Sequence, residues 1–206
     1  MASSGPTLKG VVMMRAATVA LALFLGFAGF AAPPAVSAQA GGGWTTVFDG
    51  KSLNGWTPIG NANWKLAEGA VQADMGSGFL VSNQSYGDFE LRAEVWVNDD
   101  ANSGIFIRAS NPKEITAMNA YEVNIFDKRP DQAYRTGAIV DVAKPMSIEN
   151  AANKWNTLVI TAKGPRLTVN LNGKPMVDVM NTAHARGPVA LQYGAGVVKF
   201  RKVEIR

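Results

Sequence analysis

Apolar residues recur along this chain with a period of two, in short runs, from Trp44 to Arg206. Phe89–Val97 shows the pattern most clearly. Phe89, Leu91, Ala93, Val95 and Val97 fall on one side of an extended chain, and Glu90, Arg92, Glu94 and Trp96 on the other. That alternation predicts a half-buried strand. Comparable runs predict strands over Trp44–Phe48, Trp64–Leu66, Ala70–Ala73, Gly78–Ser82, Gly104–Arg108, Tyr121–Phe126 and Gly137–Val142. Further strands are predicted over Leu158–Ala162, Leu167–Leu171, Met176–Val179, Val189–Tyr193 and Val197–Ile205. Turn residues separate the runs, most plainly Glu68-Gly69 and the two-residue hairpin signal Asn172-Gly173. In the last run Val198 and Phe200 are out of step by one with Val203 and Ile205, which predicts a β-bulge near Arg201-Lys202. No stretch sustains a helical period; Ser147–Ala152 is read as a single helical turn. So many short strands predict an all-β fold, an antiparallel two-sheet sandwich, without internal repeat or second domain.

The centre of the chain carries the candidate chemistry. In Gly104–Arg108, Ile105 and Ile107 share a side and Phe106 and Arg108 take the other. In Tyr121–Phe126, Tyr121, Val123 and Ile125 share a side, leaving Glu122, Asn124 and Phe126 opposite. Paired antiparallel, the two strands would hold a cation, a carboxylate and an amide on one outward face with two phenyl rings. That set suits a sugar-sized polar ligand. The plainer alternative is a cross-strand Arg108–Glu122 ion pair on a solvated face. The spacer Ala109–Asn119 and the loop Asp127–Tyr134 are long, as loops at the rim of a site often are. Gln192 lies on the outward side of Val189–Tyr193.

Composition narrows the chemistry further. The chain has no cysteine, which excludes disulfides, zinc–thiolate sites and thiol catalysis. Met1–Ala40 reads as a leader: Lys9 and Arg15, an apolar run over Ala16–Ala32, then Pro33-Pro34 and small residues suited to cleavage. An uncleaved anchor is the rival reading of that run. With the leader removed, residues 41–206 form the one expected domain, exported to the periplasm or secreted, with no membrane span. The remaining charge is near neutral and gives no nucleic-acid footprint. Asp99 and Asp100 lack the regular oxygen spacing of a calcium loop and read as turn residues.

Several segments resemble one family. Ser103–Arg108 (S-G-I-F-I-R), Tyr121–Ile125 (Y-E-V-N-I) and Thr136–Asp141 (T-G-A-I-V-D) look like the 3-keto-disaccharide hydrolase family. Phe48–Trp56, Asp88–Arg92, Lys154–Thr157, Asn172–Lys174 and Gly187–Gln192 support the likeness in the same order. The resemblance implies a concanavalin-like or laminin-G-like jelly roll that cleaves glycosides already oxidised to a ketone at carbon 3. Such chemistry needs a base near carbon 2 and an electrophile for the enolate oxygen. The expected assignments are Glu122 as base or metal ligand and Arg108 as the enolate or hydroxyl clamp. Asn124 and Gln192 would supply hydrogen bonds, with Asp141 and Asp127 as second-rank acids and Trp96 and Tyr193 as stacking rings or, equally, as packing or rim residues. The ligand is expected to be a carbohydrate, and the resemblance leaves room for a divalent metal ion. One departure stands out: the family's L-Q-x-H appears here as L-Q-Y-G, with Tyr193 and Gly194 after Gln192. The only histidine, His184, sits upstream in a loop. A non-catalytic carbohydrate-binding module and a structural envelope domain are the competing readings.

Overall fold

The computed structural model describes residues 43–206. The predicted leader lies outside the described residues. Thirteen strands form two antiparallel sheets: β1 (Thr45–Phe48), β2 (Trp56–Gly60), β3 (Lys65–Ala67), β4 (Ala70–Ala73), β5 (Gly78–Tyr86), β6 (Phe89–Val97), β7 (Ser103–Ile107), β8 (Tyr121–Ile125), β9 (Trp155–Lys163), β10 (Arg166–Leu171), β11 (Lys174–Met180), β12 (Gly187–Tyr193) and β13 (Val198–Ile205). The larger sheet runs β11-β10-β9-β6-β13-β4-β3, with β1 also paired to β13. The smaller runs β2-β5-β12-β7-β8. Among the described residues the only helix is a 3₁₀ turn over Gln132–Tyr134.

Alternation explains the core. Leu91, Ala93 and Val95 of β6, Leu158 and Ile160 of β9, and Phe200 of β13 are fully buried on the inner face of the larger sheet. Leu80, Ile105, Ile107, Val123, Ile125 and Leu191 meet them from the smaller sheet. The bulge falls where the phase slip places it: β13 slips register against β6 between Phe200 and Lys202. Asn172 and Gly173 both take positive φ (52° and 82°), the backbone a tight two-residue turn needs, and join β10 to β11.

Three expectations differ. Trp56–Gly60 is a strand that the pattern did not flag; it lies at the edge of the smaller sheet, where Pro58 costs no ladder bond. Ser147–Ala152 makes no helical turn. Gly137–Val142 is not a regular strand, yet Gly137–Val140 lies along the free edge of β8. Gly137 N donates to Asn124 O at 2.9 Å, and Val140 N donates to Glu122 O at 3.0 Å. This segment satisfies the edge carbonyls of β8 without extending the sheet.

The smaller sheet is covered on its outer side as well. The loop after β7 folds back so that Ala109, Ile115 and Ala120 pack on Val81, Phe106 and Ala190. That second apolar cluster buries Phe106 of β7 from the outer side.

Candidate functional site

The pairing of β12, β7 and β8 builds the site. Ala190 is opposite Phe106, and Phe106 opposite Glu122. One pleat along, Gly104 is opposite Asn124, and the same register sets Gln192 on its other side. Glu122, Asn124 and Gln192 therefore converge on the outer face around Gly104. Gly104 has no side chain to separate them. A Cβ there would stand 3.3 Å from Gln192 Oε1, 3.4 Å from Glu122 Cγ and 3.2 Å from Val123 O.

This cluster is unsatisfied within the protein. Asn124 Nδ2 donates to Tyr134 O at 2.5 Å, which fixes the amide and leaves Oδ1 buried without a partner. Gln192 Oε1 is also buried and unpartnered. Buried polar atoms almost always find partners, so these two acceptors beside one carboxylate stand open to a donor from outside the chain, water or ligand. Glu122 is 9% exposed. Burial pushes its pKa from 4.5 up to about 7; Asp141 adds to the rise and Arg129 opposes it. Arg129 Nε is a further buried atom without a partner. The arrangement holds a carboxyl poised near neutrality, a guanidinium beside it and two hydrogen-bond acceptors.

Arg129 was not among the predicted site residues. It sits in the loop after β8, and its only signal was a basic residue close behind Glu122. Asp141 is exposed, takes a left-handed backbone (φ 58°), and stands near enough to Glu122 to raise its pKa.

Other predicted site residues lie elsewhere. Arg108 does not share the face of Glu122. Its φ of +54° breaks the alternation at the end of β7, and its side chain is 2% exposed. Nε donates to Gly87 O (2.9 Å), Nη1 to Gly164 O (2.8 Å) and His184 O (3.2 Å), and Nη2 to Asp88 Oδ1 (3.1 Å). It clamps three turns at one end of the sandwich. Tyr193 is a core residue: its ring meets Trp64 edge-on and its hydroxyl donates to Gly196 O at 3.1 Å. With Gln192 outward, its neighbour must point inward. Trp96 lies on the larger sheet, paired across strands with Lys199 and Trp155, with the Lys199 ammonium 5.5 Å from its ring centroid. Phe106 is covered by the loop after β7 rather than offered to a ligand. Asp127 is structural, accepting from Thr136 Oγ1 and from the backbone of Ala151 and Ala152. His184 stacks edge-on against Tyr121.

Among the described residues there is no group of three or more His, Cys, Asp or Glu that could hold a metal ion. Glu122 and Asp141 are two carboxylates, and Arg129 sets a cation beside them. Among the described residues, no helix is long and apolar enough to cross a membrane.

The fold has counterparts among known proteins. A crystal structure from Parabacteroides distasonis, described provisionally as a glycosyl hydrolase, superposes with a TM-score of 0.71 at 18% identity, over 79% of this chain and 93% of that one. A carbohydrate-binding module from Bacillus subtilis superposes with a TM-score of 0.60 at 19% identity, over 78% of this chain and 98% of that one. These likenesses show a shared sandwich fold. A protein of Bacteroides thetaiotaomicron named 3-keto-disaccharide hydrolase is 32% identical over 90 residues, a match spanning 37% of this chain and 30% of that relative's length. The family model for the 3-keto-alpha-glucoside-1,2-lyase-like domain matches residues 43–206. The chain belongs to the 3-keto-alpha-glucoside-1,2-lyase-like domain family.

Proposed function

We propose that the domain cleaves 3-keto-glycosides by elimination followed by hydration, with Glu122 as the base. The ketone at carbon 3 acidifies the proton on carbon 2. The Glu122 carboxylate takes that proton, and the electron pair moves into the carbonyl as an enolate. The enolate then expels the group at carbon 1, breaking the carbon–oxygen bond. The departing oxygen takes up a proton and leaves as an alcohol. Water adds across the resulting double bond, hydroxyl to carbon 1 and hydrogen to carbon 2, and gives the 3-keto-sugar. Arg129 faces the enolate oxygen and offsets its charge. The free oxygens of Asn124 and Gln192 accept hydrogen bonds from sugar hydroxyls.

The observation that carries this reading is Glu122 itself. It is a buried carboxyl with a pKa near 7, flanked by two amide oxygens that lack partners. A base whose pKa matches the working pH removes a carbon acid's proton most effectively. Ordinary glycosidases need two carboxylates placed across an oxocarbenium ion. Here one carboxyl is buried and the second, Asp141, is exposed.

Incubation with 3-keto-trehalose or a 3-keto-glucoside, with and without EDTA, tests the proposal. Release of the alcohol by the unmodified chain, lost in Glu122→Gln, supports it. Binding without turnover would instead make this face a carbohydrate-binding module. We further propose that the leader directs export and is removed. N-terminal sequencing of the mature protein from the periplasm or medium would find a start near Gly41, whereas a retained Met1 would contradict it.

A further inference from the structure

A pocket opens on the outer side of the smaller sheet, away from Glu122. Its volume is about 690 Å³, within the range of small-molecule sites. Ile59 and Val81 form the floor. Pro112 and Lys113 stand on one wall, Arg186 and Pro188 on the other. Thr57, Ser85 and Ser110 add hydroxyls at its margin. Val81 lies three strands from Glu122, roughly 14 Å at about 4.8 Å per strand. Phe106 and Ala190, the residues between them, are sealed beneath the loop after β7. The two sites are therefore separate.

The pocket is built rather than incidental. Arg108 pins its walls: it precedes Ala109, and it holds the carbonyls of Gly87 and His184, which flank Ser85 and Arg186. Gly187 lies so close to the chain after β7 that a Cβ would stand 2.1 Å from Ala109 O. The loop is braced internally, with Ser110 N bonded to Asn119 O at 2.8 Å and Lys113 N to Asn111 Oδ1 at 3.1 Å. Ile115 anchors it to the sheet.

Its charge is one-sided. Lys113 and Arg186 line it and no carboxylate does. Arg186 spends one Nη2 bond on Ser85 O at 3.0 Å. Neither cation is paired with a carboxylate among the described residues. An apolar floor suits the C–H face of a sugar ring, hydroxyls suit its rim, and two unpaired cations suit an acid.

We propose that this pocket binds a sugar-sized ring carrying one acidic group, a carboxylate or a phosphate. It is a site distinct from the one around Glu122, and it stands whether or not that one is catalytic.

The test is calorimetric titration of the full chain with glucuronate, glucose 6-phosphate and glucose at low and high salt. At least one acid is expected to bind tenfold or more tightly than glucose, and the tighter of the two names the group. Raising the salt should erase most of that difference. The double variant Lys113→Gln, Arg186→Gln, both changes at exposed positions, should lose at least tenfold in affinity for the acid. Its melting temperature and its turnover of a 3-keto-glycoside should not change. Equal affinity for glucose and both acids, or no binding of either acid, would overturn the proposal. So would full acid affinity in the double variant.

Discussion

Replacing Glu122 with glutamine separates its chemical role from its structural cost. The carboxyl's pKa is raised from 4.5 to about 7, with burial as the main cause. In the native protein about a tenth of Glu122 is ionised at pH 6 and about nine-tenths at pH 8. If the ionised form is the base, kcat/KM rises about tenfold over that interval and levels off above it. A glutamate at 4.5 would leave the profile flat. Glu122→Gln removes the base and should lower kcat by roughly 10²–10⁴-fold while leaving substrate binding largely intact. The same pKa shift has a stability consequence of fixed sign. The folded state binds this proton more tightly than the unfolded state, so the native protein carries that stabilisation below about pH 4.5. It loses the stabilisation as pH rises through about 7. The shift corresponds to roughly 3 kcal/mol between the two limits. Glutamine, which does not ionise, should melt higher than the native protein at pH 8, by on the order of 5–10 °C for a domain of this size. The gap should close toward pH 4. Calorimetry of both proteins across that range, with initial rates on a 3-keto-glycoside, measures both effects. A flat rate profile between pH 6 and 8, or a glutamine variant that melts no higher at pH 8, would refute the argument that burial tunes this carboxyl.

The neighbours of Glu122 should move its midpoint in opposite directions. Asp141→Asn removes a repelling charge and should shift the rate profile to lower pH; Arg129→Gln should shift it to higher pH and also lower kcat, read from profiles measured in parallel. Gly104→Ala puts a methyl within 3.4 Å of both Gln192 and Glu122 and should cost about tenfold or more in kcat/KM, while its urea midpoint moves little. Arg108→Lys keeps the charge but cannot serve three carbonyls and Asp88 together. It should lower unfolding free energy by about 2–4 kcal/mol in urea titration, and a loss under about 0.5 kcal/mol would contradict the clamp. Trp96→Ala, on the other sheet, should leave kcat/KM unchanged within about twofold.

What the period of two conveys is local, and that explains where it succeeded and failed. It placed Glu122, Asn124 and Gln192 on outward faces because each sits inside an extended strand. It misplaced Arg108 because alternation presumes extended backbone, and φ at Arg108 is +54°. The side chain turns away from the Glu122 face toward Gly87, Gly164 and His184, and no residue type there announces the change. For Tyr193 the packing reading holds and the stacking one does not, since alternation with Gln192 already required it to point inward. A two-sheet sandwich also has two outward faces, and alternation does not say which one a residue occupies. Trp96 and Glu122 are both outward; pairing assigns β6 to one sheet and β8 to the other. Arg129 comes from a loop whose path depends on Asp127 holding Ala151 and Ala152, contacts far apart in the chain.

One local mark did carry information about convergence. Gly104 lies inside β7, and glycine inside a strand often signals that something must approach closely. Here the approaching groups are Gln192 from β12 and Glu122 from β8. Any larger residue would wedge them apart, so the absence of a side chain at 104 is as much a part of the site as the carboxyl at 122. The two neighbours differ in kind from that glycine, because their chemistry is visible in their residue type while the value of Gly104 exists only once β12 and β8 flank it. A site assembled from three strands thus requires the residue between its polar groups to be small, and a search for such sites gains by starting from the glycine.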